Sequence, residues 1–156
     1  MVFRPIHKKY GATIESILNK AGKFEEPVDS WVIEAKPIGY RDVWFANKAG
    51  CGKYRIKVGK QVVASWELYQ MKNCCGICVS TVAMVEQPFR KNGLGLVLNQ
   101  IRIDLARMMG YGLLLCTDVT SNVPQQKILK ANGWKLIHKF INPRTNNELG
   151  IHVIGL

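Results

Sequence analysis

The spacing of apolar side chains along the chain predicts three helices. They span residues 11–22, 93–109 and 122–132. Residues 93–109 are the clearest, since an apolar stripe recurs at helical spacing while Asn99, Arg102 and Arg107 lie away from it. Ser121 or Asn122 can cap the third helix. The stripe predicts one buried face for the central helix and a polar face turned away from the core.

Seven further segments have the alternating or continuous apolar character of β-strands. They span residues 31–35, 53–58, 61–70, 76–86, 113–119, 134–141 and 149–156. Residues 76–86 are almost wholly apolar, which predicts a long strand buried on both faces. Because strands flank the second and third helices, we expect a mixed α/β (α+β) fold with a partly parallel central sheet flanked by helices. The length predicts a single domain over residues 1–156.

The composition adds a strong positive charge to this picture. Twenty-two Lys and Arg against eleven Asp and Glu give a formal net charge of +11. Such a surface favours polyanionic partners, such as nucleic acid, a phosphorylated cofactor or an acidic protein face, although it can also serve solubility alone. No apolar run is long enough to span a membrane and no secretory signal is recognisable, so a cytoplasmic protein is expected.

Five cysteines are an odd number for a disulfide framework, so reduced thiols are expected. Cys75 and Cys78 match a CxxC pattern. However, they open a predicted strand, on which residues three apart face opposite sides. No second ligand pair completes a zinc site, so no metal is expected.

The segment "RKNGLG", Arg90 to Gly95, stands between the long apolar strand and the central helix. Amides at a helix start have no intrahelical acceptor, and the helix dipole adds positive potential there. Glycines let an anion approach the main chain. The segment therefore predicts a phosphate cradle, most simply one for a diphosphate. A dinucleotide fingerprint would need a glycine where Leu98 stands. A P-loop would need Ser or Thr after "GK", and Gly52-Lys53 is followed by Tyr54.

Two segments in the right order resemble the GCN5-related N-acetyltransferase (GNAT) family. "RKNGLG" resembles the family's acetyl-CoA loop at every position of the signature, and "NVPQQKILKANGW", Asn122 to Trp134, resembles its second signature. The resemblance covers roughly residues 53–156. It implies the GNAT fold, acetyl-CoA as co-substrate, and a site set of Met84, Val85, Gln87, Arg90, Lys91, Asn92, Gly93, Leu94, Gly95 and Asn122.

The resemblance assigns these residues distinct roles. Main-chain groups of Met84, Val85 and Gln87 would hold the pantetheine arm, and the amides of the loop with Arg90 would hold the diphosphate. Asn122 would lie beside the pantetheine.

The residues that handle protons in the family are not at their usual positions. The general acid is a Tyr in many members, and this chain has Leu129 there. A Glu base of some members corresponds to Thr117, with Asp118 one place later. Asp118 and Glu67 are the candidate catalytic residues, and Asp118 would replace the Glu only if the strand is bulged or ends there.

These observations predict an acetyl-CoA-dependent N-acyltransferase that acts on a primary amine. The alternative is a catalytically inactive protein of the same fold that binds CoA, nucleic acid or an acidic protein. A nucleic-acid-binding domain without a CoA site is the third hypothesis. The acceptor and the oligomeric state stay open, a homodimer included. Trp31, Tyr40, Trp44 and Phe45 are candidates for the acceptor wall or for ordinary packing.

Overall fold

The computed structural model describes residues 3–36 and 52–156. The helices are α1 (Arg4–Ala21), α2 (Leu94–Met108) and α3 (Val123–Ala131). The strands are β1 (Val32–Lys36), β2 (Gly52–Val58), β3 (Gln61–Gln70), β4 (Ile77–Val85), β5 (Leu113–Val119), β6 (Lys135–Ile141) and β7 (Glu148–Gly155). Each predicted helix and strand is present, which confirms the mixed α/β fold. Of the predicted acceptor-wall aromatics, Tyr40, Trp44 and Phe45 lie outside the described residues, as does Cys51, and Trp31 is buried.

The strands form one mixed sheet in the order β1-β2-β3-β4-β5-β7-β6. Among the strand pairs formed by the described residues, only the central pair, β4 and β5, is parallel. These two strands pair over three residues each, Ile77–Val79 with Leu113–Leu115. Beyond that point β4 continues beside β3 and β5 continues beside β7. The two central strands therefore separate towards their carboxyl ends and leave a wedge in the middle of the sheet.

A β-bulge lies on β4 where the wedge opens. The register against β3 shifts between Ser65, opposite Met84, and Glu67, opposite Thr81. The extra residue in β4 coincides with Val82, whose φ of 51° is in the left-handed region, and the Val82 side chain is 64% exposed. The prediction that this strand is buried on both faces is therefore wrong for its last third, where β4 has separated from β5 and the bulge turns Val82 to the surface.

The described helices pack on one face of the sheet. Phe3, just before α1, meets Tyr54 edge to face, and the Tyr54 ring stacks on Trp66. α1 begins at Arg4, seven residues earlier than predicted, because Ile6 and Tyr10 extend the buried stripe of that helix by two turns. Burying the stripe against α2 and the sheet supplies more stability than the local sequence signals indicate.

Candidate active site

A small cavity lies at the wedge, between the carboxyl end of β4 and the amino-terminal half of α2. Its volume is about 80 Å³. It is lined by Ala83, Met84, Val85, Gly95, Leu98, Asn99, Arg102 and Gln125. Three of these residues, Met84, Val85 and Gly95, were predicted to bind the cofactor. The cavity therefore joins the end of the long strand to the start of the glycine-containing helix.

The loop from Arg90 to Gly95 turns sharply because two of its residues adopt left-handed conformations. Lys91 has a φ of 65° and Gly93 a φ of 84°. The Arg90 Nε donates to the carbonyl of Val85 at 2.8 Å, and the Asn92 Nδ2 donates to the carbonyl of Arg90 at 3.0 Å. These bonds use side-chain donors and main-chain oxygens, so they fix the loop without occupying its amides.

The main-chain amides of residues 91–96 have no acceptor within the described chain. No side chain caps α2, and the amide of Val97 makes the first main-chain bond of the helix, to Gly93 at 3.4 Å. Consecutive free amides at the positive end of a helix form an anion-binding site. The loop thus offers donors at a helix start, and its binding of a diphosphate stays a prediction.

The two glycines of the loop have different surroundings. A Cβ on Gly93 would meet no atom within 4 Å, so Gly93 faces open space, and its φ favours glycine. A Cβ on Gly95 would lie 3.2 Å from the Cδ1 of Ile128 on α3. Gly93 therefore leaves room above the cradle, whereas Gly95 lets α3 pack closely on α2.

The remaining predicted cofactor contacts flank the cavity. The carbonyl of Gln87 accepts from the amide of Arg90 at 3.3 Å, in the short turn that joins β4 to the loop. The side chain of Asn122 caps α3 by accepting from the amide of Gln125 at 3.4 Å. Gln125, rather than Asn122, lines the cavity. A role of Asn122 beside the pantetheine stays a prediction.

Asp118 and Glu67, the two candidate catalytic residues, lie on opposite faces of the sheet. Glu67 pairs with Thr81 on β4, on the face away from the helices. Asp118 lies on the helix-covered face, where its Oδ2 accepts from the Gln126 Nε2 at 3.0 Å. Burial raises the pKa of Asp118, while hydrogen bonds from Val119 and Gln126 partly offset the effect. The two carboxylates therefore cannot act on one atom together.

The structure bears on the positions at which the chain departs from the GNAT pattern. β5 pairs regularly with β7 through Asp118, so Asp118 and Thr117 point to opposite faces. Leu129, at the position of the usual Tyr, is 1% exposed and belongs to the core. Asp118 thus does not take the place of a group at Thr117, and its assignment as base stays a prediction.

The cysteines of the CxxC pattern lie in different surroundings. Cys75 is exposed in a turn before β4, whereas Cys78 is buried in that strand. Among residues 3–36 and 52–156, no group of three or more His, Cys, Asp and Glu is placed to hold a metal ion. Over the same residues, no helix combines the length and apolar character needed to cross a membrane.

Two polar residues of α2 that the sequence placed away from the buried stripe are almost completely buried. Asn99 is 1% exposed and Arg102 is 3% exposed, whereas Met108, placed in the stripe, is 44% exposed. The stripe prediction is wrong here because both sides of the helix are covered: Ile103, outside the stripe, is also buried. Apolar residues on nearly all sides of the helix indicate that it is buried all round. An Asn and an Arg within such a helix therefore indicate a buried polar pocket.

The orientation of the Asn99 amide follows from its partners. Its Oδ1 accepts from the Trp134 Nε1 at 2.9 Å and from the Asn132 Nδ2 at 2.8 Å. Because an indole N–H can only donate, the atom that it contacts must be the oxygen. The Nδ2 of Asn99 is therefore turned away from these partners, and it is buried without an acceptor in the described chain.

Trp134→Phe should destabilise the protein by about 1 kcal/mol, since one buried hydrogen bond is lost while Asn132 still satisfies the Asn99 oxygen. Urea unfolding followed by circular dichroism measures this change. Leu136→Ala, in the exposed strand β6, is a control that should cost less. A Trp134→Phe variant as stable as the wild type would contradict the assigned orientation of Asn99.

Comparison with solved structures identifies the fold. An "IAA acetyltransferase" from Bacillus cereus superposes with a TM-score of 0.61 at 16% identity, over 81% of this chain and 100% of that chain. A GNAT family acetyltransferase from Elizabethkingia anophelis with acetyl-CoA bound gives a TM-score of 0.61 at 14% identity, over 82% and 99% of the two chains. A Bacillus subtilis acetyltransferase in complex with CoA gives 0.60 at 11% identity, over 81% and 99%.

No family model and no curated protein sequence matches the chain. The structural neighbours are consistently acetyltransferases of one fold, and the mixed seven-stranded sheet with its central parallel pair agrees with them. The chain therefore has the GNAT fold, as the two sequence segments predicted.

Proposed function

We propose that the protein is an acyl-CoA-dependent N-acyltransferase that transfers an acetyl group to a primary amine. The observation that carries the proposal is the row of free amides from residue 91 to residue 96, which opens on the wedge between β4 and β5. A diphosphate at these amides would be held by the helix start, with Lys91 adding positive charge nearby. Structural neighbours with CoA or acetyl-CoA bound support the same ligand here.

The wedge would guide the rest of the cofactor. Beyond Val79, β4 has no strand partner on the β5 side, so its main-chain groups are available to an extended arm. Met84 and Val85 line the cavity into which that arm would run. Binding along this edge would hold the thioester between the two separated strands, in a fixed position for attack by an amine.

The proposed reaction is direct attack of the amine on the thioester carbonyl carbon. A carbon–nitrogen bond forms, the carbon–sulfur bond breaks, the nitrogen loses a proton and the leaving thiolate of CoA gains one. A main-chain amide near the bulge of β4 can polarise the carbonyl. A thiolate is weakly basic and leaves without strong acid assistance, so the presence of Leu129 in place of a Tyr is compatible with turnover.

Acetyl-CoA at about 100 times its dissociation constant should stabilise the protein by about 2.7 kcal/mol. For a chain of this size the melting temperature should rise by roughly 5 to 10 °C. Thermal melting with acetyl-CoA, and with adenosine as a control that lacks the diphosphate, measures the shift. An unchanged melting temperature with acetyl-CoA would refute the proposal.

The alternative is a protein that binds CoA without turnover. The observation that favours it is Leu129, whose packing in the core leaves no acid at the family's usual position. Release of free CoA thiol from acetyl-CoA, measured with amino acids, polyamines and lysine-containing peptides, separates the two functions. A melting shift with no thiol release across these amines would favour the alternative.

A further inference from the structure

Arg102 is a buried cation that has no hydrogen-bonding or ionic partner among residues 3–36 and 52–156. Its side chain lies on α2 beneath the wedge, is 3% exposed and lines the cavity. Its Nε is buried without an acceptor, and within the described residues no hydrogen bond or ion pair involves its guanidinium. A guanidinium keeps its proton in proteins and has five N–H donors to satisfy. An isolated charge of this kind is costly to bury, which points to an anion that completes the site.

A second donor that has no acceptor in the described part of the chain lies one turn earlier on the same face of α2. Asn99 lines the same cavity, and the bonds from Trp134 and Asn132 to its oxygen leave its Nδ2 without an acceptor. Residues three apart on a helix are neighbours. The polar wall of the cavity on α2 therefore consists of a cation and an amide donor, which suits a ligand group made of acceptors.

The carboxylate that acts electrostatically on Arg102 among the described residues does not form an ion pair with it. Asp118 is close enough to influence its pKa, yet it forms no ion pair with Arg102 in the described chain and is hydrogen-bonded to Gln126 instead. Cys116, the other neighbouring titratable group, has a pKa raised to about 12 by burial and is uncharged at neutral pH. The guanidinium thus keeps its net charge available to a ligand.

Arg102 lies further along the axis of α2 than the diphosphate cradle. It follows Gly95 by seven residues, which places it about 10 Å further along the helix axis. Gly95 lines the same cavity, so one extended ligand can reach from the cradle to Arg102. With the diphosphate on the cradle and the arm running along β4, the acyl end of the cofactor would be the part that approaches Arg102.

We propose that Arg102 and Asn99 form a subsite for a carboxylate carried by the acyl group, so that the preferred donor is a dicarboxylic acyl-CoA such as succinyl-CoA. This inference rests on the N-acyltransferase activity of the proposed function, and it replaces the acetyl group named there with a dicarboxylic acyl group as the preferred donor. Arg102 would meet the carboxylate with charge-assisted hydrogen bonds and Asn99 would add one further donor. The carboxylate takes no part in the transfer and stays on the acyl group in the amide product.

Isothermal titration of the intact protein with CoA, acetyl-CoA, butyryl-CoA and succinyl-CoA tests the subsite. Succinyl and butyryl groups have the same chain length and differ in the terminal carboxylate. We expect the wild type to bind succinyl-CoA at least tenfold more tightly than butyryl-CoA. In Arg102→Met, whose side chain has a similar length and no charge, the ratio should fall to one or below. Arg107→Met removes an exposed arginine of the same helix and should keep the wild-type ratio.

The outcomes distinguish the inference from the function on which it rests. Tight and equal binding of succinyl-CoA and butyryl-CoA by the wild type would overturn the carboxylate subsite and leave the acyltransferase proposal standing. Absence of binding by all four compounds would overturn both. A preference for succinyl-CoA that persists in Arg102→Met would also overturn the assignment, because another cation would then be responsible.

Discussion

Gly93→Asp should weaken acetyl-CoA binding at least 100-fold, equivalent to about 2.7 kcal/mol of binding free energy. Gly93 faces open space at the start of α2, beside the free amides. The introduced carboxylate would enter the anion site and compete with the diphosphate from within the chain. Aspartate tolerates left-handed backbone better than most residues and favours helix starts, so the fold should be retained. Titration calorimetry with acetyl-CoA measures the loss.

Two matched variants separate charge from bulk and from backbone strain. Gly93→Asn has nearly the same shape without the negative charge, and we expect a smaller loss of about tenfold. Gly110→Asp places the same residue at a φ of 84°, identical to that of Gly93, beyond the other end of α2 and also in open space. It should leave the affinity for acetyl-CoA unchanged. Equal losses in Gly93→Asp and Gly110→Asp would show that the cradle is not the phosphate site.

The parts of the fold that depend on local spacing could be predicted from the sequence. The apolar runs of β4 and β5, and the helix between them, are long and have a clear period, so the parallel central pair followed from their order. The loop at Arg90–Gly95 was also predictable, because glycines after a strand and before a helix have few other uses. Both features depend on residues that are close together in the sequence.

The features that depend on distant contacts could not be predicted in the same way. A periodic pattern separates polar from apolar positions, yet it does not show which sides of α2 are covered, so the burial of Asn99 and Arg102 was missed. A bulge interrupts the alternation of polar and apolar residues along a strand. The segment around Val82 is almost continuously apolar and has no such alternation, so its sequence does not reveal the bulge. The placement of Glu67 and Asp118 on opposite faces follows from strand register across the sheet, which the sequence of either strand alone does not contain.

Burial of the Arg102 charge should lower the free energy of unfolding of the ligand-free protein. The proposed carboxylate subsite gives a functional reason for this loss of stability. Arg102→Met should therefore raise the free energy of unfolding by about 1 to 4 kcal/mol, as when buried charges are replaced by apolar side chains of similar size. Such a gain in stability with a loss of ligand selectivity is typical of functional sites. Urea unfolding of the ligand-free protein measures the change, with Arg107→Met as the exposed control. A destabilised Arg102→Met would mean that the guanidinium is already compensated within the fold.

The stabilisation by Arg102→Met should depend on pH because Arg102 acts on Asp118. Burial raises the pKa of Asp118, and attraction to Arg102 lowers it, so removing the cation should raise that pKa further. A carboxyl group whose pKa is higher in the folded than in the unfolded state loses stability as the pH rises through the folded value. The gain from Arg102→Met should thus be larger below the unfolded pKa of Asp118 than at neutral pH. In an Asp118→Asn background this pH dependence should vanish, and its persistence there would show that Arg102 is coupled to a different group.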